Sequence, residues 1–304
     1  MIDGQIKTSA GSVFARGAQA LMVGNDPRFE LLPNSADLAN VQSADLPALL
    51  KNSLEGRADV VMVGDVSVDD AIRATGATFG AGAATTDAAM PSPSVSVQAP
   101  VGPAIFQHKG RADQGLYGEY FVIPDYFADP KTSDVAHVAA AVLQARLVDT
   151  VREKLGMTYS PKVAASTSVE VRGEGYFAPV IETPPSNFAA FHALLADELG
   201  DLAAKPVSAD ELARAKQPLI EAEAKRLETN SYWVEKLVQM TREPRVGEQM
   251  IGEAARLSAV TAADVQAFVA RFVVARKPIV AMARADQPKE TAIGVTAGAT
   301  IKAQ

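Results

Sequence analysis

The sequence predicts an α+β fold in which a mostly antiparallel sheet carries helices on one face. Strand-like runs are grouped beside helical segments instead of alternating strictly with them, which favours α+β over a parallel α/β fold. One long amphipathic segment is followed directly by a strand, a turn and a second strand. The 304 residues are 48% hydrophobic and 21% charged, so the chain can bury a sizeable core and favours two domains over one.

The segment from 129 to 181 predicts a long helix followed by a hairpin. Its apolar residues recur at spacings of three and four, on one side of a helix: Val135, Val138, Val142, Leu143, Leu147, Val151 and Leu155. Asp129-Pro130 starts this helix and Gly156 ends it. The runs 163–171 and 176–181 are typical of strands, and the two glycines of 172–175 indicate a turn between them.

The other segments predict helices and short strands on either side of this hairpin. Before it we expect helices at 10–23, 44–54 and 67–79, and strands at 60–63, 104–108 and 115–123. After it we expect helices at 186–203, 208–240, 250–257 and 261–272, and a strand at 278–283. Ser67–Asp70 and Ser208–Glu211 match capping boxes, and Pro218 predicts a kink.

A change of composition at residues 81–102 divides the chain into two units. Small residues, Ser, Thr and Pro dominate there with hardly a charge, which is typical of a linker. We therefore assign 1–80 to the closing part of an incomplete first unit, 103–285 to a complete second unit and 286–304 to a tail. Because the first unit lacks most of its sheet, we expect it to expose apolar surface. It would then pack on the second unit or on a second copy of the chain, giving a homo-oligomer.

An internal repeat supports this division. A shift of 219 residues (260 minus 41) pairs Ala36, Leu38, Val41, Ala44, Asp45, Ala48, Arg57 and Val61 with Ala255, Leu257, Val260, Ala263, Asp264, Ala267, Arg276 and Val280, without a gap. The same shift aligns four further apolar residues with apolar residues of the second copy, namely Leu46, Leu49, Val60 and Val63. A cap, a helix and a closing strand recur, which favours duplication over chance similarity in an alanine-rich chain. We therefore expect the chain to start inside its first unit.

Composition excludes several classes of function. A net charge of −7 and a pI near 5.1 argue against nucleic acid as the main partner, because phosphate binding favours a basic surface. No cysteine is present, so a disulfide, a thiolate metal ligand and a thiol nucleophile are all excluded. No export signal and no stretch of some 18 uncharged apolar residues is visible, so we expect no membrane span in this chain.

Several motifs in a fixed order resemble one known family. LVDTVREKLGMTYSP, with HKGRADQGLYGEYF and PDYFADP before it and VSADELARAKQPL after it, resembles the carboxyl-terminal half of pitrilysin/insulinase-type zinc peptidases, the inverzincin group that includes mitochondrial processing peptidase. NDPRFELL and VVMVGDVSVDDAIRATGATFGA resemble the end of the preceding half. The resemblance implies a processing-peptidase-like α+β fold over nearly the whole chain.

The family's zinc motif is missing from this sequence. Such a peptidase binds zinc through H-x-x-E-H on a helix, with a glutamate as general base. The three histidines, His108, His137 and His192, are far apart in sequence and none has that glutamate neighbour, so each is interpreted as a surface or satisfied core residue. The resemblance thus places the zinc upstream of Met1 or on another chain, and we assign no metal ligand, no catalytic residue and no cofactor here.

Two residues match substrate-binding positions of the family. The resemblance implies that Arg152 and Tyr159, at the junction of the long helix and the hairpin, face the zinc site and hold the substrate backbone and the developing oxyanion. A guanidinium donates two hydrogen bonds to one carbonyl and a phenol donates one, so both suit this role without ionising. The alternative is that Arg152 is a helix-end cation and Tyr159 a half-buried strand residue.

Other candidate residues give weaker signals. Ser160, Thr167 and Ser168 lie near the hairpin but have no neighbouring base, and strands often carry Ser and Thr. Lys109 and Arg111 flank Gly110 in what we interpret as a turn, and Trp233 is interpreted as helix packing. An edge strand of the sheet is a better candidate for a binding site, because peptidases of this type accept extended peptides by strand addition.

The sequence therefore predicts the substrate-binding, chamber-closing half of a zinc endopeptidase, inactive alone. Its partners would be a peptide or unfolded protein substrate and a zinc-bearing half or subunit, and the resemblance favours the bacterial periplasm. The alternative is a non-catalytic partner subunit or structural interaction protein of the same fold.

Overall fold

A five-stranded sheet lies at the centre of the fold. The computed structural model describes residues 2–24, 26, 29, 39–54, 58–80, 93–97, 99–155 and 161–286. Their strands are β1 Ala104–His108, β2 Leu116–Val122, β3 Lys162–Thr167, β4 Gly175–Glu182 and β5 Ile279–Ala285. The order is β1-β5-β2-β4-β3, with β1 parallel to β5 and the other neighbouring pairs antiparallel. The predicted α+β class with a mostly antiparallel sheet is confirmed.

Helices surround this sheet in chain order. Before β1 lie α1 Ile2–Thr8, α2 Ala10–Met22, α3 Leu46–Leu54 and α4 Val68–Thr78. Between β2 and β3 lies α5 Pro130–Leu155. After β4 follow α6 Phe188–Ala204, α7 Ala209–Arg226, α8 Asn230–Arg242, α9 Val246–Met250, α10 Glu253–Ala259 and α11 Ala262–Phe268, which continues as the π-helical turn Val269–Val274. Gly156, residues 81–92 of the predicted linker and residues 287–304 of the tail lie outside the described residues.

The long helix α5 fills one face of the sheet. Its start is capped by Asp129, whose carboxylate accepts hydrogen bonds from the backbone N–H of Thr132 (3.0 Å) and from its hydroxyl (2.7 Å). The predicted apolar stripe is confirmed, because Val138, Val142 and Leu147 are fully buried. Each such side chain contributes about 1.5–3 kcal/mol when it is removed from water.

The opposite face of the sheet is covered by α2. Its residues Ala10, Phe14, Ala18 and Met22, four apart, are buried against the sheet. The prediction placed helices on one face only. The structure adds this second layer because the centre of β2 is buried on both sides, so that Tyr117 packs against Phe188 and Phe191 of α6 while Tyr120 faces α2.

Residues 39–80 contribute helices but no strand. The strand predicted for Val60–Val63 is wrong, because residues 58–63 have no regular structure, and Val60 and Met62 stay exposed. A strand needs a neighbour for its backbone hydrogen bonds, and none of the five described strands pairs with this run. The apolar surface expected to be exposed in the first unit is confirmed by Leu46, Leu50 and Ile72, which are 46%, 58% and 66% exposed.

Two further boundaries differ from the sequence prediction. Strand β3 ends at Thr167 instead of Val171, because the Ser168 hydroxyl accepts the backbone N–H groups of residues 170 and 171 and so turns the chain. The helix predicted over 208–240 continues through Pro218, which lies inside α7. It breaks at residues 227–229, between α7 and α8.

Paired leucine substitutions test this division into a packed and an open part. Leu147→Ala should lower the free energy of unfolding by about 2–5 kcal/mol, because it leaves a cavity under α5. The matched change Leu50→Ala should cost less than about 0.5 kcal/mol, because that side chain is already exposed. Urea denaturation followed by circular dichroism measures both. Equal losses of stability would contradict the assignment.

Candidate peptide-binding edge

Strand β3 forms one outer edge of the sheet. It lies last in the strand order, beside β4 only. Val163 lies opposite Pro179, which has no N–H to donate, so this pair cannot exchange backbone hydrogen bonds. Hydrogen-bonded and non-hydrogen-bonded residue pairs alternate along two antiparallel strands. The N–H and C=O groups of Val163, Ala165 and Thr167 therefore point outward, away from β4.

A glutamine of the long helix occupies the first part of this edge. The Gln144 side-chain amide donates to the carbonyl oxygen of Pro161 (2.6 Å), and its oxygen accepts the N–H of Val163 (2.7 Å). One side-chain amide thus takes the place that a neighbouring strand would fill. The backbone groups of Ala165 and Thr167 have no such partner among the described residues, so this part of the edge can accept an added strand.

Arg152 lies beyond this edge on the same helix. It is eight residues after Gln144, which places it about 12 Å further along the axis of α5. Its side chain is exposed and makes no hydrogen bond or ion pair with any residue that the structure describes. An extended peptide of roughly six residues would span the distance from Ala165 to this guanidinium.

The second predicted substrate-binding residue cannot be placed. Tyr159 and the candidate hydroxyl Ser160 lie outside the described residues. The pairing of Arg152 with Tyr159 therefore stays a prediction. Of the other candidate hydroxyls, Thr167 lies 2.5 Å from the Ser133 hydroxyl, and the Ser168 hydroxyl accepts the backbone N–H groups of residues 170 and 171.

The three histidines are held at separate places. His108 is buried on β1, where Nδ1 accepts the N–H of Gly110 and Nε2 donates to the carbonyl oxygen of Gln114 at 2.9 Å. His137 is exposed on α5, and its Nδ1 donates to the Ser133 carbonyl oxygen. No three His, Asp or Glu side chains within the described ranges lie close enough to hold a metal ion. These residues do not fit the zinc site of the family.

The third histidine, which is exposed, contacts a buried carboxylate that the sequence did not reveal. Glu119 on β2 is 4% exposed, and its Oε1 accepts the Tyr117 hydroxyl (2.7 Å) and approaches Nδ1 of His192 on α6 at 2.6 Å. Burial, and then the nearby carboxylate, raise the pKa of Tyr117. The tyrosine thus stays a neutral donor, and the network joins α6 to the sheet.

A polar cavity of about 320 Å³ lies between α5, α7 and the helices that follow. Its two arginines are paired with carboxylates: Arg256 bonds Asp134 at 2.9 Å, and Arg226 bonds Glu223 and Glu253, while Lys236 bonds the side-chain amides of Gln239 and Gln249. Burial raises the pKa of Asp134, while the Arg256 guanidinium opposes that shift. Because each guanidinium is neutralised within the chain, we interpret the cavity as a structural network and not as a site of catalysis.

Strand β3 and helix α5 together form one candidate surface among the described residues. The outer edge of β3 supplies backbone groups, and α5 supplies one unpaired cation. The sequence model of the peptidase M16 inactive domain matches residues 53–219, which is more than half of the chain. The chain belongs to the peptidase M16 inactive-domain family, and the resemblance drawn from its motifs is confirmed.

Solved structures share this fold. The chain is similar to a conserved protein from Enterococcus faecalis (TM-score 0.75, 16% identity), covering 94% of this chain and 66% of that one. It is also similar to a peptidase M16 inactive domain from Pseudomonas fluorescens (TM-score 0.67, 18% identity), covering 94% and 71%. The match to pitrilysin has a TM-score of 0.65 at 15% identity and covers 95% of this chain but 31% of pitrilysin. At these identities the likeness establishes the fold alone.

No curated protein matches the chain in sequence. Within the described residues, no single helix is long and apolar enough to cross a bilayer. Residues 253–259 and 262–274 reach that length and composition only as a pair, and that pair is bent by 87°.

Removal of the Gln144 amide should open the start of β3. Gln144→Leu leaves the N–H of Val163 and the carbonyl of Pro161 without their partner, so exchange of the Val163 amide hydrogen should speed up about tenfold, the equivalent of about 1.4 kcal/mol. Hydrogen exchange followed by NMR measures this. Gln217→Leu, which removes only an exposed contact to Glu221, is the control and should leave β3 unchanged. An unaltered Val163 rate would show that the amide does not protect this edge.

Proposed function

We propose that this chain is the substrate-binding, chamber-closing half of a zinc-dependent endopeptidase of the pitrilysin type. It hydrolyses peptide bonds only together with a zinc-bearing half, and its compartment in this proposal is the bacterial periplasm, which the family resemblance favours. The observation that carries the proposal is the open outer edge of β3, followed on α5 by the unpaired cation of Arg152.

The open edge suits an extended peptide. A peptide strand laid beside β3 would exchange backbone hydrogen bonds with Ala165 and Thr167, and these bonds are independent of side-chain sequence. Gln144 fills the adjoining positions, so the added strand would be short and would then pass toward the end of α5. Such a surface favours unfolded segments over folded proteins as substrates.

Arg152 would act on the peptide carbonyl near the zinc-bearing half. A guanidinium that forms no ion pair within the described residues keeps its donors free for a carbonyl oxygen, and its attraction grows as that oxygen gains negative charge. Tyr159 would add one further donor. Because neither group supplies a nucleophile or a base, both would contribute only beside the metal of the other half.

A non-catalytic role is the second candidate function. The family is described as an inactive domain, and the described residues hold no metal-binding cluster. The exposed apolar side chains of residues 41–79 suit permanent association with another subunit. In that case the chain would serve as a partner subunit or structural core, and Arg152 would be an ordinary helix-end cation.

Substitution of Arg152 separates the two functions. With a zinc-bearing half present, Arg152→Ala should slow peptide turnover by about 10²-fold, as expected for the loss of one oxyanion donor, and Tyr159→Phe should have a similar effect. Arg214→Ala is the matched control, because Arg214 is an exposed helix arginine paired only with Asp210, and it should leave the rate unchanged. Equal rates for all three variants would favour the non-catalytic function.

A further inference from the structure

The polar cavity of about 320 Å³ beside α5 and α7 contains side chains that the pairing of its arginines does not explain. Arg226 and Arg256 bond carboxylates of the same chain. Tyr126, Lys236 and Gln249 also line the cavity, and they come from three separate segments: the turn before α5, helix α8 and helix α9. Their unused hydrogen-bonding capacity indicates what the cavity can bind.

The hydroxyl of Tyr126 opens into this cavity. The residue is only 5% exposed, and its hydroxyl makes no hydrogen bond with any residue that the structure describes. Among those residues no polar side-chain atom is sealed from solvent without a partner, so this hydroxyl must reach the cavity space. Burial raises the pKa of Tyr126, while the nearby Arg256 guanidinium opposes that shift. The phenol therefore stays a neutral donor, and a buried donor favours a partner.

Lys236 is a half-buried cation of the lining that no carboxylate of the described ranges neutralises. Its Nζ contacts the side-chain oxygens of Gln239 at 3.3 Å and Gln249 at 3.2 Å. Both distances are long for a hydrogen bond from nitrogen to oxygen, and neither partner is charged. Because an ammonium group has three N–H donors, at least one of them stays available to a ligand.

Gln249 and a pair of hydroxyls add further donors. The side-chain oxygen of Gln249 faces Lys236, so its amide nitrogen points away from the lysine, and no residue of the described part accepts a hydrogen bond from it. Ser133 and Thr167 share one hydrogen bond of 2.5 Å, in which one hydroxyl donates and the other keeps its own hydrogen free. Donors thus converge on the cavity from α5, β3, α8, α9 and the turn before α5.

The acceptors of the lining are largely occupied. Asp134 accepts from Arg256, and Glu253 accepts from Arg226, while His137 lies at an exposed position. An excess of donors favours a ligand with several acceptor oxygens and a negative charge, because hydrogen bonds to an ionised oxygen are the stronger ones.

The size and the apolar part of the cavity narrow the class of ligand. A volume of about 320 Å³ lies at the lower end of the range for small-molecule sites. Leu219, Ala222 and Leu257 supply apolar surface in the same lining. Both features suit a small organic acid, whose carbon atoms contact these side chains.

We propose that this cavity binds a small organic oxyanion, whose carboxylate or phosphate group is held by Lys236, Tyr126 and Gln249. The carbon part of the ligand lies against Leu219 and Leu257. This inference is independent of the proposed peptidase function, because it uses neither the outer edge of β3 nor Arg152.

Isothermal titration calorimetry of the full chain tests the site. The probes are inorganic phosphate, succinate and succinamide, the neutral diamide with the carbon skeleton of succinate, all at one ionic strength set with chloride. Phosphate or succinate should bind at one site per chain. Succinamide should not bind, because it brings further donors and no charge to a cavity of donors. The tighter of the two anions identifies the group as phosphate or carboxylate.

Two substitutions test the assigned contacts. Lys236→Met keeps the length of the side chain but removes its charge, and it should weaken binding about tenfold, as expected for one hydrogen bond to a charged group. Tyr126→Phe removes only the hydroxyl and should weaken binding several-fold. Lys225→Met, at an exposed lysine of α7 outside the lining, and Tyr120→Phe, on the α2 face of the sheet, are the matched controls and should change nothing. Circular dichroism confirms that each variant is folded.

The results decide the assignment. Binding of phosphate or succinate that is weakened by both substitutions and by neither control supports the site. No heat of binding from either anion at millimolar concentration overturns it, because the cavity then holds water only. Binding that survives both substitutions also overturns it, since the anion then lies elsewhere on the chain. Succinamide that binds as tightly as succinate would contradict recognition of an anion.

Discussion

The fold depends on one constraint, which is that a central strand must be covered on both faces and paired on both edges. Strand β2 meets it fully, with five consecutive buried residues, two neighbouring strands and a helix on each side. That requirement fixes α5 on one face and α2 on the other. Because α2 belongs to the amino-terminal part of the chain, the complete sheet ties the two parts of the sequence together.

The same constraint explains the surfaces that remain open. At the outer edge of β3, the Gln144 amide bonds Pro161 and Val163, whereas the outward backbone groups of Ala165 and Thr167 have no partner among the described residues. In the amino-terminal part, the segments 43–54 and 58–66 carry exposed apolar side chains, and no described strand pairs with them.

Local patterns in the sequence predicted most of the elements. The stripe of α5, the strands of the hairpin and the helix α2 followed from spacing and from glycine positions such as Gly173, whose φ of 78° suits the turn. Long-range contacts were not predictable in this way. Nothing in the sequence around Gln144 indicates that its amide would reach Val163, and nothing near Ala10 indicates that α2 would cross to a sheet formed a hundred residues later.

The strand at Val60–Val63 was predicted wrongly for a related reason. Its β-branched residues favour a strand, but a strand also requires neighbours, and a propensity does not supply them. In the same way, motif order predicts Arg152 as a binding residue, and the structure adds that its side chain is exposed and lies beyond the outer edge of β3. The proposed contribution of Arg152 to catalysis would depend on atoms of another half, which no local pattern in this chain can encode.

Hydrogen exchange of the free chain, read by mass spectrometry, tests the central claim most directly. The claim is that one copy of the repeat is inserted in a sheet and the other is not. Amides of residues 279–285 should exchange slowly, because β5 is paired on both sides, while those of residues 60–66 should exchange close to the rate of an unfolded peptide. Equal protection of the two segments would mean that the backbone of residues 60–66 is already paired, which would contradict the claim.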